Sequence, residues 1–372
     1  MIELIVGVGK QAKRLTIRKV ESGRLSEILF LSLPHMIYPE EHLMQSASEF
    51  QAQLAGQHPL SSEYDFEAWL VCTAEGQPLM RAALTLPHVE QRTAYLGYFE
   101  TTSQDQELMQ KFVDFLSQRA RYLRNAETLI GPVQGSFWLG YRMQLSGFSD
   151  LPFTGEPHNP AYYPRLWKAA GFELKEQYVS NFFQQIPTQY RESRLKQRYQ
   201  KFIAEGVRFI SPKRSEWQVV LPEVFALLSK LYQEFPLFET ISFEQFSEVF
   251  NQYQQILDFQ MVQLAYKADQ LVGFVITVPD YGNLVYRPMT RMNLLRILKR
   301  RRLARRYTVM YLGVDGDYLG LGSALSYLIY QAIESRSAYA VAGLIHQSRV
   351  TKNYVADLKA YQHHYGIYEK KI

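Results

Sequence analysis

Alternating apolar and polar positions carry Phe66-Glu67-Ala68-Trp69-Leu70-Val71-Cys72 into a turn at Glu75-Gly76 and back through Leu79-Met80-Arg81-Ala82-Ala83-Leu84, which predicts a β-hairpin. A second hairpin is predicted from residues 259–266, a turn at Ala268-Asp269-Gln270, and residues 271–278. After each hairpin comes a strand-like run with the same tripeptide, Tyr95-Leu96-Gly97 in one half and Tyr311-Leu312-Gly313 in the other. Both runs lead into helical periodicity. Leu108, Phe112, Phe115, Leu116 and Leu123 form one apolar stripe, and Leu321, Leu325, Leu328, Ala332 and Ile333 the other, as 3.6 residues per turn requires. Then come Gly131-Pro132-Val133-Gln134-Gly135-Ser136 and Gly343-Leu344-Ile345-His346-Gln347-Ser348, whose glycines and serines share an offset of 212 residues.

The shared order points to two copies of one arrangement. Hairpin, strand, helix, strand is not a run of βαβ units, so the expected class is α/β with a mixed (α+β) sheet rather than a doubly wound parallel one. A chain of 372 residues also exceeds the ~150 that one core usually organises. The polar, helix-forming stretch from Arg191 to Glu205 would bridge the halves. That places the boundary near Pro187 and the expected domains at residues 1–187 and 188–372.

Composition narrows the class. Hydrophobic residues make up 47% and charged ones 21%, which suits packed cores and excludes a disordered chain. The N-terminus lacks the basic and apolar regions of a signal peptide, and no stretch reaches the ~20 apolar residues of a membrane span. Cys72 is the single cysteine, so no internal disulfide forms, and a cytoplasmic location is expected. His363 and His364 are adjacent and point to different faces, so no metal site is expected. Charge is concentrated: Arg287, Arg291, Arg296, Lys299, Arg300, Arg301, Arg302, Arg305 and Arg306 fall in one acid-free segment, without which the net charge of +5 would be −4. A single basic segment argues against general coating of nucleic acid. It interleaves cations with Met289, Met292, Leu294, Leu295, Ile297, Leu298 and Leu303, so a solvated helix, an anion-attracting patch and an RNA or membrane contact all remain open.

The run Val309–Val314 reads as a strand, and residues 317–323 join it to the second helix. A helix N-terminus offers amides without intrahelical partners and a partial positive charge, both suited to phosphate oxygens. Gly320 and Gly322 permit close backbone approach and positive φ, and Ser323 adds a hydroxyl. Asp317-Tyr318-Leu319-Gly320-Leu321-Gly322, followed by Ser323-Ala324, resembles the acetyl-CoA-binding turn of the GNAT acyltransferase superfamily, Gln/Arg-x-x-Gly-x-Gly/Ala, with Asp317 in the place of Gln or Arg. Asn353-Tyr354-Val355-Ala356 with Tyr361 resembles that family's Asn-x-x-Ala-x-x-x-Tyr helix, its tyrosine one place late. The N-terminal half resembles the degenerate partner domain of bacterial tandem GNAT-like proteins. The resemblance rests on Gly131-Pro132-Val133-Gln134-Gly135-Ser136-Phe137-Trp138, Tyr141-Arg142, Pro152-Phe153, Asn159-Pro160-Ala161-Tyr162-Tyr163 and Ala170-Gly171-Phe172. Its own strand exit, Tyr98 to Gln104, contains no glycine.

The resemblance implies two tandem GNAT-like domains with acetyl-CoA as cosubstrate of the second alone. It implies a pyrophosphate at Asp317 to Ala324, a thioester and pantetheine arm along Leu312, Gly313 and Val314, support of that arm by Asn353, and protonation of the departing thiolate by Tyr361. The acceptor would be a small-molecule or peptide amine. From the residues themselves, transfer to an amine needs a base, yet Tyr307 to Val314 contains no carboxylate. His346, whose ordinary pKa of about 6.5 suits proton transfer near neutrality, and Asp280 are the candidates; a purely structural histidine is the competing reading. Two other functions stay open, a Fem-type aminoacyl-tRNA-dependent transferase with tRNA as partner and a non-catalytic coenzyme A-binding module.

Overall fold

The computed structural model describes residues 2–7, 13–89, 92–185, 193–349, 353 and 358–372. The chain divides into two compact units, one of Met1–Pro152, Pro157–Gln177 and His364–Ile372, the other of Phe153–Glu156 and Tyr178–His363. The expected boundary at Pro187 lies outside the described residues.

The first unit begins with β1 (Ile2–Val6), β2 (Lys13–Lys19), α1 (Leu25–Ile37) and α2 (Ala47–Leu54). The predicted hairpin is β3 (Tyr64–Thr73) and β4 (Pro78–Pro87); β5 (Thr93–Thr101), α3 (Gln106–Arg124) and β6 (Thr128–Gly131) follow. Neighbouring strands run antiparallel except β5 and β6, which are parallel from Thr93↔Thr128 to Tyr95↔Ile130. The unit continues through β7 (Met143–Gln144), α4 (Tyr163–Ala169) and the start of β8 (Glu173–Phe183). Helix α3 is started by Asp105, whose carboxylate accepts from the amides of Glu107 and Leu108, a cap that stabilises a helix by about 1 kcal/mol. Its Leu108, Phe112 and Leu116 are buried in a core with Leu84, Leu96 and Trp167.

The second unit contains the end of β8, then α5 (Ser193–Ala204), β9 (Val207–Ile210), α6 (Trp217–Tyr232) and α7 (Phe243–Asn251). Its hairpin is β10 (Val262–Lys267) and β11 (Gln270–Pro279), with Phe259–Met261 forming a short 3-10 turn rather than strand because the Asp258 carboxylate caps Gln260. There follow α8 (Arg291–Arg302), β12 (Arg306–Val314), α9 (Leu321–Ser335), β13 (Tyr339–His346) and β14 (Lys359–Lys371). The order β9-β10-β11-β12-β13-β8 is antiparallel except for β12 and β13. The second half of β14 belongs to the first unit, where it pairs with β6 from Tyr368↔Gly131 to Lys371↔Thr128.

Each unit thus has the expected hairpin, strand, helix and strand, in a mixed sheet. The two Tyr-Leu-Gly tripeptides lie on corresponding strands but out of step. In the first unit the β4–β5 register slips after Ala83↔Gly97, beyond the tripeptide; in the second the β11–β12 register slips after Thr277↔Val309, before it. Aligned by these bulges, Tyr95 corresponds to Tyr307. The displacement is four residues, an even number, so the same side chains still face the same way.

Candidate functional site

The second unit's parallel strands are hydrogen-bonded only from Arg306↔Tyr339 to Val309↔Ala342. Beyond that point both strands are deflected. Met310 is the extra residue of a bulge between Thr277↔Val309 and Ile276↔Tyr311. On β13 the pairing with β8 slips between Ala342 and Ile345, Leu344 takes a φ of 54°, and its amide donates to Ser180 Oγ at 2.9 Å. Bulges bend a strand and free one residue from the ladder. The consequence is a cleft between the ends of β12 and β13.

The turn from β12 into α9 closes one end of that cleft. Gly320 has a φ of +93° and is the N-cap of α9, with no side-chain cap. Only glycine enters the left-handed region without steric cost. Asp315 organises the turn: its amide donates to Val272 O, its carbonyl accepts from Tyr318 N, and its carboxylate accepts from Lys230 Nζ at 2.8 Å. That hydrogen bond from Lys230 holds the buried Asp315 carboxyl below the usual carboxylate range. A carboxyl with a lowered folded pKa stabilises the fold above its unfolded pKa, and the contribution disappears as pH falls through the folded value. Because Lys230 is exposed, Asp315→Asn is expected to cost at most about 1 kcal/mol. Asp315→Ala, which also removes the carboxylate oxygens from the turn, should cost more, and the difference between wild type and Asp315→Asn in thermal melts should vanish in acid.

Cleft and turn together enclose a cavity of about 470 Å³, within the range of small-molecule sites. Leu312, Gly313 and Val314 line it from β12; Asp315, Gly316, Tyr318, Leu319 and Gly320 from the turn; Gly322, Ser326 and Tyr330 from α9; and Gly343, Ile345 and His346 from β13. A Cβ on Gly313 would lie 2.6 Å from Phe274 Cε1 and 2.8 Å from Leu231 Cδ1, so this strand position needs glycine for packing. His346 Nδ1 lies 2.7 Å from Ser348 Oγ, and its ring meets those of Tyr178 and Phe235 at 5.0 and 5.5 Å.

Of the residues singled out in the sequence, Leu312, Gly313, Val314, Tyr318, Leu319, Gly320, Gly322 and His346 therefore meet at one cavity. Leu321 and Ala324 are buried in the core beneath α9. Ser323 donates its amide to Gly320 O, and Asp317 is exposed; neither lines the cavity. Asn353 is exposed, and Tyr354, Val355 and Ala356 lie outside the described residues. Tyr361 is 47% exposed on β14, stacked on Phe182 at 4.5 Å, and does not line the cavity. Asp280 is held by Arg306, whose Nε donates to it at 2.5 Å, and by the amide and hydroxyl of Thr154. It is a buried structural ion-pair member rather than a free base.

Sequence reasoning missed Asp315, Lys230, Tyr232 and Arg349. Tyr232 and Arg349 line the cavity, and the Arg349 guanidinium lies 5.4 Å from the Phe235 ring centre. Arg198 of α5 was missed as well: its side-chain atoms lie 3.4 Å from where a Cβ on Gly320 would be. Lys230 and Arg198 sit on helices with no local motif, so only folding brings them to the turn.

Among its described residues the first unit has no such cleft. After Tyr95↔Ile130 the chain stays pressed on β5: Val133 N donates to Leu96 O at 2.9 Å, and a Cβ on Gly97 would fall 2.0 Å from Val133 O. Near the end of β5, where the bulge alignment sets it against Leu312 of β12, Glu100 is 2% exposed and accepts from Tyr38 and Tyr163 hydroxyls at 2.7 Å and from Gln45. Burial pushes its carboxyl above the usual range, opposed by Arg81 and these donors.

No family model and no curated protein matches the sequence. Solved structures match by fold. A GCN5-related glucosamine N-acetyltransferase region of a fungal multi-domain β-N-acetylglucosaminidase is 10% identical, with 98% of this chain and 39% of that chain covered and a TM-score of 0.53. A tandem GNAT protein from the clavulanic acid biosynthesis pathway is 12% identical over 96% of this chain and 98% of that one, with a TM-score of 0.49. A GCN5-related N-acetyltransferase from Sphaerobacter thermophilus gives the same identity and score, with 96% and 95% covered.

Proposed function

We propose, for a chain with the GNAT fold, that the second unit is an N-acyltransferase domain that uses acetyl-CoA and acylates a small-molecule or peptide amine. The observation that carries the reading is one cavity that joins the left-handed, uncapped Gly320 at the start of α9 to the parted strands β12 and β13. The turn residues Leu319 to Gly322 would hold the pyrophosphate through backbone amides, with Arg198 as a neighbouring cation. The end of β12 that lines the cavity, Leu312 to Val314, would align the pantetheine arm. Bound acetyl-CoA supplies an activated acyl group.

This chain's residues then have two tasks. A carbonyl under attack needs a donor aimed at its oxygen, and the bulged backbone at Met310 has an amide outside the regular ladder. The attacking amine must lose a proton, and His346 is the cavity-lining group suited to take it. Tyr232, Tyr318 and Tyr330 line the same cavity, and their phenols would be the proton sources for the leaving sulfur. The first unit, with Asp105 capping α3 and Glu100 buried, is not expected to bind a second coenzyme.

Calorimetry with acetyl-CoA and thiol release with an amine panel test this reading. His346→Gln is expected to lower kcat by about 10²-fold or more while leaving acetyl-CoA affinity within about twofold. Absence of acetyl-CoA binding at millimolar concentration would refute the coenzyme assignment, and an unchanged kcat would remove His346 from the chemistry.

A further inference from the structure

The basic segment of the second unit folds into α8, which has two apolar faces. One packs inward: Ile297 is 1% exposed in a cluster with Ile256 and Tyr281, and Asn293, one turn earlier, is buried with its Nδ2 donating to Leu284 O. The other faces water. Met292 is 63% exposed, Leu295 64%, Leu298 39% and Leu303, at the C-cap, 62%. Packing accounts for Ile297 but leaves these four without a structural reason.

Cations surround them. Arg306 is used in the ion pair with Asp280, and Arg301 donates to Gln255 O. Arg291, Arg296, Lys299, Arg300 and Arg302 are exposed, and among the described residues no ion pair engages them. At 100° per residue, Arg302, Leu295, Lys299, Met292 and Leu303 follow one another around a single sector of the helix, with Arg291 and Arg296 at its edges. Long cationic side chains can lay their stems along such a sector and carry their charge to its rim.

We propose that α8 is an interfacial helix that docks the second unit on an anionic lipid surface. Met292, Leu295 and Leu303 would enter the boundary between headgroups and acyl chains, and Arg291, Arg296, Lys299, Arg300 and Arg302 would meet lipid phosphates. Apolar insertion combined with a dense cationic rim is the chemistry of such surfaces. A nucleic acid would satisfy the cations but not the exposed leucine and methionine side chains. Aromatic stacking platforms, which single strands use, are absent from the α8 sequence.

Flotation of the full chain with vesicles of phosphatidylcholine alone, or of phosphatidylcholine with phosphatidylglycerol, tests this. Binding to the anionic vesicles should be at least about tenfold tighter and should weaken as salt rises. The variant Met292→Ser/Leu295→Ser/Leu303→Ser alters only exposed positions and should lose most of that binding with an unchanged circular dichroism spectrum. Leu295→Trp should show a blue-shifted emission on anionic vesicles. No preference for anionic vesicles, full binding by the triple serine variant, an unshifted Leu295→Trp, or tighter binding of RNA than of vesicles would each overturn the proposal. None of these readouts depends on acetyl-CoA binding.

Discussion

Gly320→Val is expected to raise the dissociation constant for acetyl-CoA at least about 100-fold, equivalent to ~2.7 kcal/mol, with the fold retained. Gly320 has a φ of +93°, where a β-branched residue is strained by about 1–3 kcal/mol. A Cβ there would lie 3.4 Å from the Cδ, Nε and Cζ atoms of Arg198, so the two methyl groups of valine must displace that side chain. The turn would relax by rotating the backbone and would lose the amide array at the start of α9 together with the nearby guanidinium. Calorimetry should show lost binding, while the circular dichroism spectrum stays that of the wild type and the melting temperature falls by no more than about 10 °C. Wild-type affinity in Gly320→Val would mean that the turn is only a strand-to-helix connection.

The second large effect belongs to the first unit. Glu100→Ala is expected to destabilise that unit by about 3–5 kcal/mol, because it leaves the buried Arg81 guanidinium, which Gln45 links to Glu100, without a compensating charge. Arg81 is 1% exposed; its Nη1 donates to Phe30 O at 2.7 Å and its Nη2 to Gln45, which in turn donates to Glu100. Glu100→Ala strands this guanidinium and the hydroxyls of Tyr38 and Tyr163. The double variant Arg81→Met/Glu100→Leu removes both charges and should recover a large part of the loss, since apolar replacements of buried pairs are often neutral. Urea unfolding of the single and double variants measures the difference. If Glu100→Ala unfolds at the wild-type midpoint, the network contributes nothing to stability.

These residues also show how far sequence reading reaches. In the sequence Glu100 belongs only to a strand exit without glycine, and nothing local reveals that Tyr38, Gln45 and Tyr163 converge on it from three other segments. The Tyr-Leu-Gly repeat identified corresponding strands correctly and their alignment by four residues incorrectly, because an even shift preserves which side chains face the core. Asp280 read as a possible base at a hairpin end; in the fold Arg306, at the start of β12, reaches it and makes it structural. In the sequence Arg306 is one of nine cations in a single basic segment.

Periodicity and turn chemistry, which act over a few residues, were enough to determine two hairpins, two amphipathic helices, a mixed sheet in each half, and a glycine turn poised at a helix start. The tertiary structure decided what depends on distant partners. It divided β8 and β14 between the two units, opened β12 from β13 beyond Val309↔Ala342 while keeping Val133 against β5, placed Lys230 on Asp315, and turned four apolar side chains of α8 to water. Strand partnership, burial of charge and the opening of a cleft are set by which surfaces meet across the chain, and no local pattern encodes them.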